Sequence, residues 1–220
     1  MDENLKQTDE TGNKGKRKAK KGWKQELKEW VAALASALII VFILQSFLFC
    51  IIRVEGQSME TTLHDGERLF VNVAGVKFSQ SIPRNSIVIC HYPNRSTKLL
   101  GIIPIETNFV KRLVAVPGDQ VYRKNGVTHV VYEEDGQRVD VPMDERLEQY
   151  FPNGSPEDYD TYTLGENEYF AVGDNRYNSH DSRDWRDNDD SNDVGPITKD
   201  MVVGRVQQVL WPLNSFRAAK

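Results

Sequence analysis

An uninterrupted apolar run near the N-terminus constrains this chain more than any other feature. Residues 31–52, VAALASALIIVFILQSFLFCII, contain no charged side chain. About 20 helical residues span the roughly 30 Å of hydrocarbon in a bilayer. A cleavable signal peptide has a shorter apolar core that ends at small residues, and residues 47–52 offer no such site. We therefore predict a transmembrane helix over residues 30–52, in preference to a signal peptide or a buried core helix, with Trp23 and Trp30 as interface anchors.

Positive charge is concentrated before this run, between residues 14 and 28, whereas Arg53 is the only cation immediately after it. The positive-inside bias places residues 1–29, a basic tail, in the cytoplasm and residues 53–220 outside it. Residues 1–22 are too polar to bury much surface, so we expect them to be disordered. The rest of the chain is acidic, with an overall net charge of -4. Nucleic acid is therefore not expected as a partner.

The part beyond residue 53 has the pattern of a mainly β domain. Short runs rich in β-branched and aromatic residues alternate with turn residues. These runs lie at residues 67–73, 86–92, 109–116, 127–132, 169–172 and 201–210. Asp135-Gly136 predicts a type I′ hairpin, because both central positions of that turn need positive φ. Irregular chain is expected at residues 145–168, followed by an acidic loop at residues 184–193.

No metal or cofactor is expected. Cys50 and Cys90 give neither a disulfide framework nor a metal-ligand spacing. The aspartates at 187–193 lack the glycine and glutamate that an EF-hand loop requires, so a solvated loop is favoured over a calcium site.

The first segment with residues capable of chemistry is Gly56-Gln57-Ser58-Met59, just beyond the apolar run. Serines in such loops are most often turn formers or helix caps. The segment alone therefore does not identify Ser58 as a nucleophile.

The second segment is the strand NFVKRLVAVPGD, residues 108–119. Alternation places Lys111 on one face with Phe109 and Leu113, and Arg112 on the opposite face. One cation must therefore lie among apolar neighbours. An ordinary lysine, with a pKa of about 10.4, is neutral in only about one molecule in 2,500 at pH 7, but burial disfavours the ammonium form. A buried Lys111 could thus act as a general base, and an edge-strand lysine that reaches solvent is the alternative.

The third segment is FAVGDNRYNSHDSR, residues 170–183, in which a strand runs into a polar turn. Asp174, Asp181 and Arg183 can form ion pairs, and Ser179 can hydrogen-bond an amine. A solvated loop would have a similar composition.

In this order after a single N-terminal span, the three segments resemble the hallmark boxes of type I signal peptidase. These are a Ser-Met box, a Lys-Arg box ending in Pro-Gly-Asp, and a Gly-Asp-Asn-Arg box that continues to Asn-Ser-x-Asp-Ser-Arg. The resemblance covers Trp30 to Trp211 and implies an antiparallel β-sheet catalytic domain after one transmembrane helix. It implies Ser58 as nucleophile and Lys111 as general base. The supporting residues that it implies are Ser179, which orients the lysine, the polar cluster of Asp174, Asp181 and Arg183, and Arg112, which has no assigned chemical role.

The resemblance also implies an activity. It predicts a membrane-anchored serine endopeptidase that removes signal peptides from exported preproteins after small-x-small sites, without a cofactor. The expected partners are these signal peptides and the lipid bilayer, with proximity to the protein export machinery. Two positions depart from the usual pattern of the family. Thr61 stands where the family usually has proline, which removes one fixed φ, and Gly56 stands where some members have a serine that helps to bind the oxyanion.

Other functions remain open at this stage. His64-Asp65 and His180-Asp181 would allow a Ser-His-Asp triad instead of a Ser-Lys pair. A non-catalytic, membrane-tethered module that binds exported proteins is a second class. A soluble self-cleaving repressor is disfavoured by the apolar span and by the absence of a DNA-binding module from the sequence.

Overall fold

A computed structural model describes residues 22–99, 103–143, 157–185 and 194–219. The tail up to residue 21, which we expected to be disordered, lies outside the described residues. So do part of the expected irregular stretch and most of the acidic loop.

The apolar run forms one long helix, α1 (Trp23–Phe47). Its segment Trp23–Leu44 is long and apolar enough to cross a membrane and is not buried against protein. The structure differs from the predicted span at its C-terminal end, because Phe49–Arg53 forms a strand, β1. The cause is pairing with a partner strand, in which Phe49 faces Asn72 and Arg53 faces Arg68.

The described strands beyond α1 form two antiparallel sheets, which confirms the predicted mainly β fold. The remaining strands are β2 (Arg68–Asn72), β3 (Ile87–Leu99), β4 (Ile103–Ala115), β5 (Gln120–Lys124), β6 (Val127–Glu134), β7 (Gln137–Pro142), β8 (Tyr159–Thr163), β9 (Glu168–Val172), β10 (Ile197–Thr198), β11 (Val202–Trp211) and β12 (Arg217–Ala218). The larger sheet has the order β1-β2-β11-β3-β4-β9-β10, with β12 beside β11, and the smaller has the order β7-β6-β5-β8. A one-turn helix, α2 (Ala74–Lys77), follows β2.

The predicted hairpin is confirmed. Glu134 faces Gln137 across the turn, and Asp135 and Gly136 have φ values of 50° and 75°. In contrast, β8 lies in the stretch that we expected to be irregular. The polar sequence YDTYT does not indicate a strand. The strand forms because it pairs with β5.

β4 is an inner strand that is buried on both faces. β4 lies between β3 and β9 in the larger sheet. Apolar side chains on both of its faces are buried, including Leu113, Val114 and Ala115. Arg84 adds a polar tie, because its guanidinium binds Asp119 at 2.6 and 2.9 Å and stacks 3.8 Å from the ring of Tyr132.

Candidate active site

Ser58 and Lys111, 53 residues apart in sequence, are in contact. Ser58 lies in the loop between β1 and β2, and Lys111 lies on β4. The Nζ atom of Lys111 is 2.7 Å from the Oγ atom of Ser58. This is the geometry required of a nucleophile and its general base.

The surroundings of Lys111 favour the neutral amine. The side chain is 3% exposed, and its Nζ lies 5.5 Å from the centre of the Phe109 ring. Among the described residues, no carboxylate forms an ion pair with it. Burial lowers the pKa of Lys111, and Arg183 lowers it further, against the opposing effect of Asp181.

Contacts within the loop and with the turn after β9 hold Ser58 in place. Met59 and Leu63 are buried, and the Leu63 N–H donates to the Met59 carbonyl at 2.9 Å. The Asn175 N–H donates to the Ser58 carbonyl at 3.0 Å. Gly56 has a φ of 91°, which favours glycine. The loop is thus fixed by packing and hydrogen bonds although Thr61 replaces the usual proline.

Ser179 and Gly173 meet next to this loop. A Cβ atom on Gly173 would collide with the Ser179 hydroxyl and with the Ser58 carbonyl. The absence of a side chain at Gly173 therefore allows these two serine residues to approach. The Ser179 Oγ atom is buried and has no hydrogen-bond partner among the described residues, so it is available to a nearby amine.

Arg112 points away from Lys111, as strand alternation predicts, and binds Asp174. Its guanidinium donates to both carboxylate oxygens of Asp174, at 2.8 and 2.7 Å. Burial raises the pKa of Asp174, but hydrogen bonds from Arg112 and Thr62 outweigh it and keep the pKa below its usual value. The pair fixes the start of the third segment against β4.

Asp181 and Arg183 form a fully buried ion pair in the same segment. The Arg183 guanidinium donates to the two carboxylate oxygens of Asp181 at 2.8 and 2.9 Å. Asp181 also accepts the Gly173 N–H at 3.0 Å, and Arg183 donates to the Met143 carbonyl at 3.2 Å. The pair therefore ties the third segment to the end of β9 and to the end of β7.

The sequence analysis missed two buried charged residues beside this segment. Arg123 on β5 is 2% exposed and donates to the carbonyls of Arg183 and, at 3.2 Å, Trp185. Asp184 is 5% exposed, although we had assigned it to the acidic loop. Only a capping signature, an aspartate three residues after Asp181, could have indicated its burial.

The geometry favours the lysine over the histidine alternative. His64 Nδ1 lies 3.7 Å from the Glu67 carboxylate, and His180 Nδ1 lies 2.8 Å from Asp184. The Ser58 hydroxyl, in contrast, lies 2.7 Å from the Lys111 amine.

A cavity of about 250 Å³ opens beside Ser58. Apolar side chains form much of its lining. They are Ile52, Val54, Met59, Ile89, Phe109 and Val110. Within the part of the chain that the structure describes, no cluster of histidine, cysteine and carboxylate groups could hold a metal ion.

Comparison with known proteins identifies the family of this chain. The family described as signal peptidase, peptidase S26, matches residues 27–211. Signal peptidase I of Bacillus amyloliquefaciens is 31% identical over 206 residues, covering 92% of this chain and 98% of that protein. Signal peptidase IB of Staphylococcus aureus strain Mu50 is 30% identical over 208 residues, covering 88% of this chain and 94% of that protein.

A crystal structure of a signal peptidase I from Enterococcus faecalis V583 is also similar, at 21% identity and a TM-score of 0.29, over 58% of this chain and 98% of that one. That likeness is too weak to carry a conclusion. The sequence matches suffice, since the matched family covers most of the chain. The chain therefore belongs to the signal peptidase family, peptidase S26.

Proposed function

We propose that this chain removes N-terminal signal peptides from exported preproteins with a Ser58–Lys111 pair, cutting after small-x-small sites. As a member of the signal peptidase family, it is a serine endopeptidase. The observation that carries the assignment of the pair is the 2.7 Å contact between Ser58 Oγ and the buried amine of Lys111.

The chemistry follows from a neutral Lys111. Its lone pair takes the proton from the Ser58 hydroxyl while the Oγ atom attacks the scissile carbonyl carbon. The tetrahedral intermediate collapses to an acyl-enzyme, and the lysine ammonium gives its proton to the departing amine. Water, deprotonated by the same lysine, then attacks the ester, and Ser58 recovers its proton. The buried Ser179 hydroxyl is proposed to orient the amine through both steps.

The supporting ion pairs act by holding the loops that meet at the site. Arg112 with Asp174 and Arg183 with Asp181 fix the two ends of the segment that carries Ser179. Rigid placement of reacting groups supplies much of the rate enhancement in such sites.

The cavity beside Ser58 supports the expected substrate. Ile52, Val54, Phe109 and Val110 offer an apolar lining to a peptide bound as an extended strand. The cavity has a volume of about 250 Å³ and includes Ser58 in its lining. We propose that small residues at the first and third positions before the cut occupy this cavity.

The membrane arrangement is part of the proposal. We propose that residues 1–29 are cytoplasmic and residues 53–220 lie outside, so that Ser58, which follows the predicted span closely in sequence, acts on the outer side of the membrane. Enzyme and scissile bond then meet at one membrane face, close to the export machinery. Protease added outside sealed cells should digest the β domain and leave the basic tail intact, and the reverse pattern would contradict this orientation.

The test of function is cleavage of a preprotein with one small-x-small site by the full-length protein in detergent. Ser58→Ala and Lys111→Met variants are compared with the unsubstituted protein, and a substrate with large residues at both positions is the control. We expect cutting at the small-x-small site by the unsubstituted protein alone. Cutting by either variant would overturn the pair, and inactivity of all three proteins would favour the binding module.

A further inference from the structure

The backbone immediately after Ser179 is held by two contacts of Asp184, one with His180 and one with Asp181. We call these contacts the clasp, and the proposed catalytic steps do not involve them. One carboxylate oxygen of Asp184, Oδ2, accepts the Asp181 N–H at 2.8 Å and lies 2.8 Å from the Nδ1 atom of His180. Asp184 is 5% exposed, so both contacts are largely shielded from water.

The clasp is reciprocal. The Asp181 carboxylate accepts the Arg183 N–H at 3.2 Å, and with the Asp184 contact this forms a capping box around the short 3-10 helix Ser182–Asp184. The Ser182 hydroxyl in turn accepts the Ala171 N–H of β9 at 3.0 Å. The turn that follows Ser179 is therefore locked onto the strand that precedes Gly173.

We propose that Asp184 is a positioning residue for the catalytic centre, with His180 as its clasp partner. By fixing His180 and Asp181, it sets where the Ser179 hydroxyl lies beside Ser58 and Lys111. The inference rests on the proposed function, because it assumes that Ser179 orients a catalytic lysine.

The contacts of Asp184 allow a test of whether the position of its oxygen atom or its negative charge matters. A single oxygen of Asp184 makes both contacts, so an amide oxygen in the same place could accept both hydrogen bonds without the negative charge. A longer side chain would keep the charge and move the oxygen. The charges of Asp181 and Arg183 also act on the pKa of Lys111, in opposite directions. Burial raises the pKa of the nearby Cys90 thiol, which therefore stays neutral.

The experiment compares Asp184→Asn, Asp184→Glu and Asp184→Ala in the full-length protein in detergent, with separate measurement of kcat and KM. We expect Asp184→Asn to keep kcat within about threefold of the unsubstituted protein. We expect Asp184→Glu and Asp184→Ala to lose about 10- to 100-fold in kcat with little change in KM, as displaced catalytic groups do. If Asp184→Ala does not fold, the contrast between Asp184→Asn and Asp184→Glu decides.

A second readout is the pH profile. The carboxylate of Asp184 raises the pKa of Lys111, so its replacement by an amide should move the acid limb of kcat/KM to lower pH while the plateau stays near that of the unsubstituted protein. A low plateau in Asp184→Asn, equal to that of Asp184→Ala, would overturn the positioning role in favour of charge.

The matched control is Asp140→Ala on the smaller sheet. Asp140 also pairs with a histidine, His129, at 2.8 Å, but it lies at the exposed β6–β7 edge. We expect its loss to leave kcat unchanged. Unchanged kcat in folded Asp184→Ala and Asp184→Glu would overturn the inference alone, provided that Ser58→Ala is inactive. Cleavage by Ser58→Ala would instead show that the proposed function has failed.

Discussion

The two faces of β4 give two adjacent cationic side chains different surroundings. Lys111 faces an apolar interior and contacts a neutral hydroxyl, whereas Arg112 faces Asp174 and binds it through two hydrogen bonds. Desolvation lowers the pKa of the lysine, while the arginine is paired with Asp174. The strand thus has a buried amine in contact with Ser58 on one face and an ion pair on the other.

This difference shows what lowers the pKa of one cation and not of its neighbour. Burial makes the ammonium form of Lys111 costly and lowers its pKa, although the Asp181 and Asp184 carboxylates oppose this shift. The carboxylate of Asp174 binds the other cation, Arg112, directly. Substituting Lys111 and substituting Arg112 should therefore lower kcat/KM by different amounts.

The largest effect is expected from matched exchanges on the two faces. Lys111→Arg places a guanidinium that cannot deprotonate where the base is needed, and kcat/KM should fall about 100- to 10,000-fold. Arg112→Lys keeps a charge beside Asp174 but loses the two-pronged contact, and the fall should be below about tenfold. Steady-state cleavage measures both, and equal losses would show that the two faces do not differ in function.

The next effect concerns stability. Because burial lowers the pKa of Lys111 in the folded protein, the unfolded chain binds the extra proton more readily. This difference lowers the free energy of unfolding. The loss is fully present below the folded-state pKa of Lys111 and disappears as pH rises toward the ordinary lysine pKa. Lys111→Met should therefore be more stable than the unsubstituted protein at acid pH, and its advantage should shrink by about 1.4 kcal/mol per pH unit within that window. Denaturant unfolding at several pH values tests this, with Arg112→Met as the control that gains no such advantage.

Much of this architecture could be predicted from the sequence, but some elements depended on distant partners. The runs that became β3, β4, β9 and β11 were recognisable because both β-branched composition and turn residues marked them. The strand β1 was not, since its residues FCIIR continue the apolar run of α1 and only pairing with β2 ends the helix before them.

The site divides in the same way. Strand alternation alone separated Lys111 from Arg112, and the family pattern identified Ser58 as its partner. The clasp at Asp184 and the buried Arg123 were missed, because charged residues are mostly exposed and the sequence does not show which distant contacts bury these two.

The smallest effect is expected from two histidines that do not contact Asp184. Replacing His64 or His129 by glutamine should change kcat/KM by less than about threefold, because His64 lies beside Glu67 and His129 beside Asp140. The same cleavage assay measures it. Loss of activity from one of them would place the base outside β4 and break the comparison between its two faces.

The most direct test of the central claim is the pH dependence of kcat/KM for the full-length protein, which reports the ionisation of the free enzyme. We predict one acid limb, at a pH below the ordinary lysine value of about 10.4, that is retained when His64 or His180 is replaced by glutamine. A limb at the ordinary lysine value, or one that disappears with either histidine, would contradict the assignment of Lys111 as a buried, neutral base.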